Sequence, residues 1–305
     1  MGGTHVRVGV VDVDGHLLTH TQESTDARRG PEAVLATLQQ TIRTLSSSTG
    51  SPLAIGVACA GQIDPVTGAV VYAPNLGWRD VPLGALLARG LNIPVVVEND
   101  VRAAAWGEFV AGAARREGSL VAVFVGTGIG SGAVLDGRLW RGAGNAAGEV
   151  GHTQVVPDGL PCRCGRDGCL EQYVSGSGLQ RRLAAAMADG RATTMIDVCA
   201  GDASRVDARD IYEAAMVGDA LARELWSDAT RFLTMAVANY VTMLNPSVLV
   251  MGGGVIATVP ALFDAVAERV PKLTTLLAAR SLRIERAALG DLSGLLGAAA
   301  LAKPA

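Results

Sequence analysis

SLVAVFVGTGIGSGAVLDGRLW, residues 119–140, is the stretch whose reading decides the fold class. A valine-rich run from Leu120 to Val125 meets a glycine turn, Gly126-Thr127-Gly128-Ile129-Gly130, and a second β-forming run follows. The turn has the glycine spacing of a dinucleotide fingerprint. Such a fingerprint opens a helix, however, and AVLDGRLW reads as strand, which disfavours a dinucleotide-binding fold. Strand, glycine turn and strand instead form a hairpin whose backbone N–H groups can cradle phosphates, with the Thr127 hydroxyl as a further donor.

Outward from this hairpin the same alternation recurs. Upstream, HVRVGVVDVDGHLLTH (5–20) reads as two strands around a tight turn at Asp14-Gly15. Helical spacing over Pro31 to Leu45 precedes the strand LAIGVACA (53–60). The run PVVVE (94–98) then leads through Asn99 into an alanine-rich helix, DVRAAAWGEFVAGA, which places Asp100 at a strand-to-helix turn. Downstream, helices are expected over 170–188, 209–216 and 220–244, the last stopped by Asn245-Pro246. The strand SVLVMGGG (247–254), a helix from Pro260, the strand SLRIERA (281–287) and a closing alanine-rich helix complete the chain. Strands alternating with helices predict an α/β fold. Two strand-rich rounds suggest two lobes, the small one from residues 1–113 plus about 290–305 and the large one from 114–289 with a cysteine loop.

At 305 residues, 49% hydrophobic and 18% charged, the chain has material for two buried cores. A net charge of -3 provides no basic field for nucleic acid or an anionic membrane. No apolar run is long enough for a membrane helix, and MGGTHVRVGV lacks the charged start and cleavage site of a signal peptide, so a cytoplasmic location is expected. Cys59 and Cys199 sit in apolar or small-residue runs and read as plain buried thiols.

The strongest local signal is His152 followed by PCRCGRDGCLE (161–171). Cys162, Cys164 and Cys169 crowd one short loop in which Gly165 and Gly168 allow tight backbone, and four N/S donors match a closed tetrahedral zinc site. Four protein ligands leave no open position, so the ion would be structural. Gly2-Gly3-Thr4 and Gly252-Gly253-Gly254 are two further glycine turns, and three such turns favour a nucleotide over plain connections. Asp100 could be only a helix cap. Transfer of a phosphoryl group to a hydroxyl, though, needs a carboxylate to accept the hydroxyl proton, and Asn99-Asp100 supplies one beside an amide. Glu149 and Glu171 flank the proposed metal loop. With Asn99, Asp100 and His152 they would make a ring of groups suited to sugar hydroxyls, the alternative being solvated surface charge.

Taken together, GGTHVRVGVVD, APNLGW, VENDVRAAAWGE, GTGIGSG, AAGEVGH, the cysteine loop and VMGGG resemble the ROK family (repressors, open reading frames, kinases) over essentially the whole chain, and its bacterial glucokinases most closely. The resemblance implies an actin-like ATPase (ribonuclease H-like) α/β fold of two lobes with a cleft, ATP with Mg2+, one structural Zn2+, and phosphorylation of the 6-hydroxyl of a hexose, glucose first. It implies Asp100 as general base and Asn75, Asn99, Asp100, Glu149, His152 and Glu171 at the sugar. Gly2, Gly3, Thr4, Gly126, Thr127, Gly128, Gly130 and Gly252 to Gly254 fall at the nucleotide, and His152, Cys162, Cys164 and Cys169 at zinc. A homodimer or higher homo-oligomer is expected. The alternatives are a kinase for another hexose or an N-acetylated amino sugar, polyphosphate as donor, or a non-catalytic sugar-sensing regulator. Family kinases open with a strand ending in Asp-X-Gly-Gly-Thr. Here Met1 occupies the X position, so the expectation is a reading frame that starts upstream, and impaired turnover if it does not.

Overall fold

The computed structural model describes residues 1–115 and 117–303, apart from the side chain of Cys199. The expectation of a buried Cys199 thiol therefore lies outside the described residues. The chain divides into two compact units, Met1–Glu117 with Gly132–Gly148 and Ala288–Ala305, and Gly118–Ser131 with Glu149–Ala287.

In chain order the strands and α-helices are β1 (His5–Val11), β2 (Leu17–Ser24), α1 (Gly30–Thr49), β3 (Ile55–Cys59), β4 (Gln62–Ile63), β5 (Val70–Ala73), β6 (Trp78–Val81), α2 (Leu83–Leu91), β7 (Val95–Asn99), α3 (Asp100–Val110), β8 (Leu120–Val125), β9 (Ile129–Leu135) and β10 (Arg138–Trp140). They continue as α4 (Glu171–Val174), α5 (Gly176–Ala188), α6 (Met195–Cys199), α7 (Ala208–Val217), α8 (Ala220–Leu244), β11 (Val248–Gly252), α9 (Gly254–Thr258), α10 (Pro260–Leu273), α11 (Leu276–Ser281), β12 (Arg283–Arg286) and α12 (Ser293–Ala302).

In the first unit, β1 and β2 form the antiparallel hairpin expected around Asp14-Gly15. β3 and β7 pair in parallel with Cys59 opposite Asn99, and β4, β5 and β6 form a small antiparallel sheet. Val6, Leu35, Leu38, Cys59, Trp78, Leu83 and Leu87 lie in its core. α12 rests directly on α3 and β3 because glycines remove the intervening side chains. A Cβ on Gly297 would lie 1.7 Å from the Ala103 carbonyl oxygen, and one on Gly56 would lie 1.9 Å from that of Ala298. Glu108, wholly buried, fixes the entry to α12 by accepting hydrogen bonds from the Ala288 and Leu289 amides and the Ser293 hydroxyl.

In the second unit β8, β11 and β12 run parallel with β11 central, and β9 lies beyond β8. All of β11 is buried, in keeping with its unbroken apolar run. The helix α8 packs Leu225, Phe232, Leu233, Val237 and Val241 inward. It starts on the Asp219 side chain, which accepts from the Ala222 amide, and stops at Asn245, which is left-handed at φ 46°.

Two expectations are corrected. The single helix over 170–188 is broken at Ser175, whose hydroxyl donates to the Glu171 carbonyl and accepts the Gly178 amide, ending α4 and capping α5. Residues 132–148, expected with the large lobe, belong to the first unit. Gly132 lies against α3, Arg141 reaches Glu98, and buried Asn145 donates to the Ile63 carbonyl at 2.7 Å.

Candidate functional site

Within the first unit the site is built at the end of β7. Asn99, not Asp100, caps α3: its Oδ1 accepts the Val101 and Arg102 amides at 3.0 Å each. Its Nδ2 donates to the Gly61 carbonyl at 3.1 Å and to Asp100 Oδ1 at 3.2 Å. The capping role that sequence alone allowed Asp100 thus falls to its neighbour. Asp100 is half-buried, and burial raises its pKa above the ordinary carboxylate value against the opposing pull of the Met1 ammonium and Arg102. Beneath this pair Glu98, 2% exposed, accepts from the Asn99 amide, from Arg102 Nε at 2.9 Å and from Arg141 Nε at 2.6 Å. Sequence reasoning missed this cluster. Its one signal was a carboxylate closing an apolar run.

Asn75 is exposed on the turn after β5, and the backbone of Gly3 presses against it: a Cβ there would stand 2.3 Å from the Asn75 carbonyl oxygen. The Gly2 amide already donates to the His5 carbonyl at 3.1 Å, which withdraws one of the donors expected to meet phosphate. The Gly2 carbonyl accepts from the Thr25 hydroxyl, and the Thr4 carbonyl from the Thr25 amide. Asp12 spends its carboxylate on the Asp14 and His16 amides of the hairpin turn. Cys59 is buried, its thiol pushed up to about 12 by that burial, and is chemically quiet.

The second unit gathers the remaining candidates around the glycine turn. Gly126 N–H donates to the Gly128 carbonyl at 2.9 Å. The Gly126 and Thr127 carbonyls accept the Gly176 and Ser177 amides, and the Ser177 hydroxyl adds a 2.7 Å bond to Thr127. The turn is therefore held by the start of α5, a role for Ser177 that only the run SGSG (175–178) hinted at. Gly253, at φ 91°, packs on the Val125 carbonyl, and Gly254 opens α9 next to Gly126. Gly130 lies inside β9, not in the turn.

Glu171 Oε2 accepts the Ile129 amide at 2.9 Å, and a Cβ on Gly128 would lie 2.7 Å from that oxygen, so Glu171 is not free surface charge. Glu149 is exposed, and its carbonyl accepts the His152 amide. The 149–152 turn sits on Ile129 through Gly151, where a Cβ would meet the Ile129 carbonyl at 2.3 Å. One strand start thus locates Glu149, His152 and Glu171 together.

His152, Cys162, Cys164 and Cys169 also converge, their donor atoms all within 4.8 Å of one another. Cys162 Sγ lies 3.6 Å from His152 Nδ1 and Cys164 Sγ 3.6 Å from Cys169 Sγ. A tetrahedral ion about 2.3 Å from sulfur would space its ligands roughly 3.8 Å apart, so the four residues fit a metal ion. Burial, then hydrogen bonds from its fellow thiols, push Cys169 up to about 12, whereas a cation at the centre would deprotonate a thiol outright. Gly168, at φ 73° with the Val156 carbonyl where a Cβ would stand, closes the loop.

The architecture is that of the actin-like ATPases, a mixed α/β fold. The chain belongs to the ROK family, whose model matches residues 1–305. It is 32% identical over 307 residues to the glucokinase of Streptomyces coelicolor, covering 99% of this chain and 96% of that one. Among solved structures it is similar to the ROK hexokinase of Thermus thermophilus (TM-score 0.84, 33% identity, 99% and 95% of the two chains). It is also similar to a ROK family glucokinase of Streptomyces griseus in complex with glucose and AMPPNP (TM-score 0.81, 33% identity, 99% and 97% covered). Among the described residues no helix is long and apolar enough to cross a membrane.

Proposed function

We propose that this chain is an ATP-dependent hexose kinase acting on the 6-hydroxyl of a glucose-like sugar. The observation that carries the reading is the division of labour at the start of α3. Asn99 satisfies the helix amides, and Asp100 is left to accept the hydroxyl proton as the oxygen attacks phosphorus. Its raised pKa makes it a stronger base than a solvated aspartate. Asn75, Asn99, Glu149, His152 and Glu171 hold sugar hydroxyls in this reading. Thr127 and the Gly126, Gly128 and Gly252–Gly254 backbone receive the nucleotide, Gly3 and Thr4 its phosphates, and ATP with Mg2+ is the donor. Kinship to a glucokinase crystallised with glucose and AMPPNP supports both ligands. His152, Cys162, Cys164 and Cys169 hold one structural Zn2+, which when bound stiffens the loop that ends on Glu171. A homodimer completes the proposal, and light scattering behind size exclusion tests that part.

A coupled assay over a panel of sugars and of ATP against polyphosphate tests the activity. Asp100→Asn should lower kcat by more than ~100-fold while glucose binding stays measurable by calorimetry, as removal of a general base requires. Turnover that survives the substitution would remove Asp100 from the mechanism.

A further inference from the structure

Between the metal loop and α5 lies a side-chain pair that the proposed reaction does not use. Gln172, the second residue of α4, is 6% exposed, and its Nε2 donates to Cys162 Sγ at 3.4 Å. Its Oε1 accepts from Arg181 Nη2, on α5, at 3.0 Å. The second bond settles the first. A guanidinium can only donate, so the amide oxygen must face Arg181 and the NH2 group must face sulfur. An amide flipped the other way would set a donor against a donor and an acceptor against a thiolate. Arg181 thus reaches the sulfur through the amide, from a helix that carries none of the four donor residues.

We propose that Gln172 is the hydrogen-bond donor to the metal-bound Cys162 thiolate and that Arg181 sets its orientation, the pair raising the affinity of the four-residue site for a soft divalent cation. The inference rests on the metal reading given above. A thiolate on a cation keeps much of its negative charge, and a buried N–H aimed at it spreads that charge without competing for the metal. Of the three cysteines, Cys164 is exposed and the Cys169 thiol lies 3.7 Å from the His152 carbonyl oxygen, an acceptor. Cys162 is the sulfur that a buried side-chain amide supports.

The test uses the full chain. Metal content of the purified protein is measured first, and a chain that binds no zinc even when supplied with it would remove the metal reading and this inference together. Zinc affinity is then measured by competition with a chromophoric chelator for wild type, Gln172→Leu and Arg181→Met. Loss of an outer-shell partner typically weakens metal binding about 10–100-fold. Gln172→Leu should fall in that range and Arg181→Met, which only frees the amide to turn, should fall short of it. Cobalt substitution supplies a readout that altered packing alone would not move. Without the N–H the thiolate is a stronger electron donor, so the sulfur-to-cobalt charge-transfer band should shift to lower energy in Gln172→Leu. Wild-type zinc affinity or an unmoved band in Gln172→Leu would overturn the proposal while leaving the metal site standing. If Gln172→Leu does not fold, Arg181→Met decides alone: weaker zinc binding supports the relay and unchanged binding overturns it.

Discussion

At Asp100 the burial that would strengthen the proposed general base also opposes stability. Its folded pKa lies above the unfolded one, so the folded state holds this proton more tightly. The resulting stabilisation is full below the ordinary carboxylate range and is lost as pH rises through the raised folded value. At neutral pH the ionised group is therefore a net cost, moderated by backbone hydrogen bonds at the start of α3 and by Arg102. Asp100→Asn should accordingly melt at a higher temperature than wild type near neutral pH, with the gap closing below the ordinary aspartate pKa, as a pH series of thermal melts would show. A mutant that melts lower near neutrality would contradict the burial argument. The acidic limb of the kcat profile should sit above the ordinary aspartate value for the same reason. Asp100 was legible in sequence because Asn99-Asp100 follows an apolar strand directly. Glu98 was not: Arg102 stands only four residues on, but its other partner, Arg141, lies 43 residues downstream and no local pattern joins them.

Among the elements, legibility follows length and period. The hairpin β1–β2, the helix α8 to its last residue and the strands β3, β7, β8 and β11 were readable because each is an uninterrupted pattern closed by a turn or a cap. Strands β4, β5 and β6, of two to four residues, are too short to show a period. The break between α4 and α5 hangs on one serine hydroxyl inside an otherwise helical run. The crossing of α3 and α12 was hidden for another reason: alanine and glycine announce a helix, not what it touches. Here the glycines are contact residues, since a Cβ on Gly107 would lie 2.2 Å from the Ser293 carbonyl oxygen and one on Gly297 only 1.7 Å from that of Ala103. Gly297→Ala must therefore push backbone apart, although alanine is the better helix former. The expected cost is about 1–3 kcal/mol, the range for overpacking a tight interface, readable as a lower urea midpoint at unchanged slope. A stabilised Gly297→Ala would mean that helix propensity outweighs the clash.

For the whole molecule, topology supplies what the local signals could not. Residues 132–148 are claimed by the first unit through Gly132, Arg141 and Asn145, contacts that only three dimensions reveal. The cysteine loop shows the opposite case, a cluster so local that spacing alone picked out the four side chains that converge. What spacing could not show is that the loop is wired to the candidate sugar groups on both sides. His152 spends Nδ1 on the Cys162 side, leaving Nε2 for a hydroxyl, and the Leu170 amide bonds to the Thr153 carbonyl immediately before Glu171. Glu171 in turn holds the Ile129 amide of the glycine turn. Removing the proposed zinc should then loosen these groups while the cores of both units, built from other residues, persist. Chelator-treated protein is expected to bind glucose several-fold more weakly by calorimetry, with its far-UV circular dichroism retained and affinity restored by added zinc. Unchanged glucose affinity in metal-free, folded protein would reduce the loop to a local staple, and loss of the circular dichroism on chelation would make the metal a requirement of the fold itself.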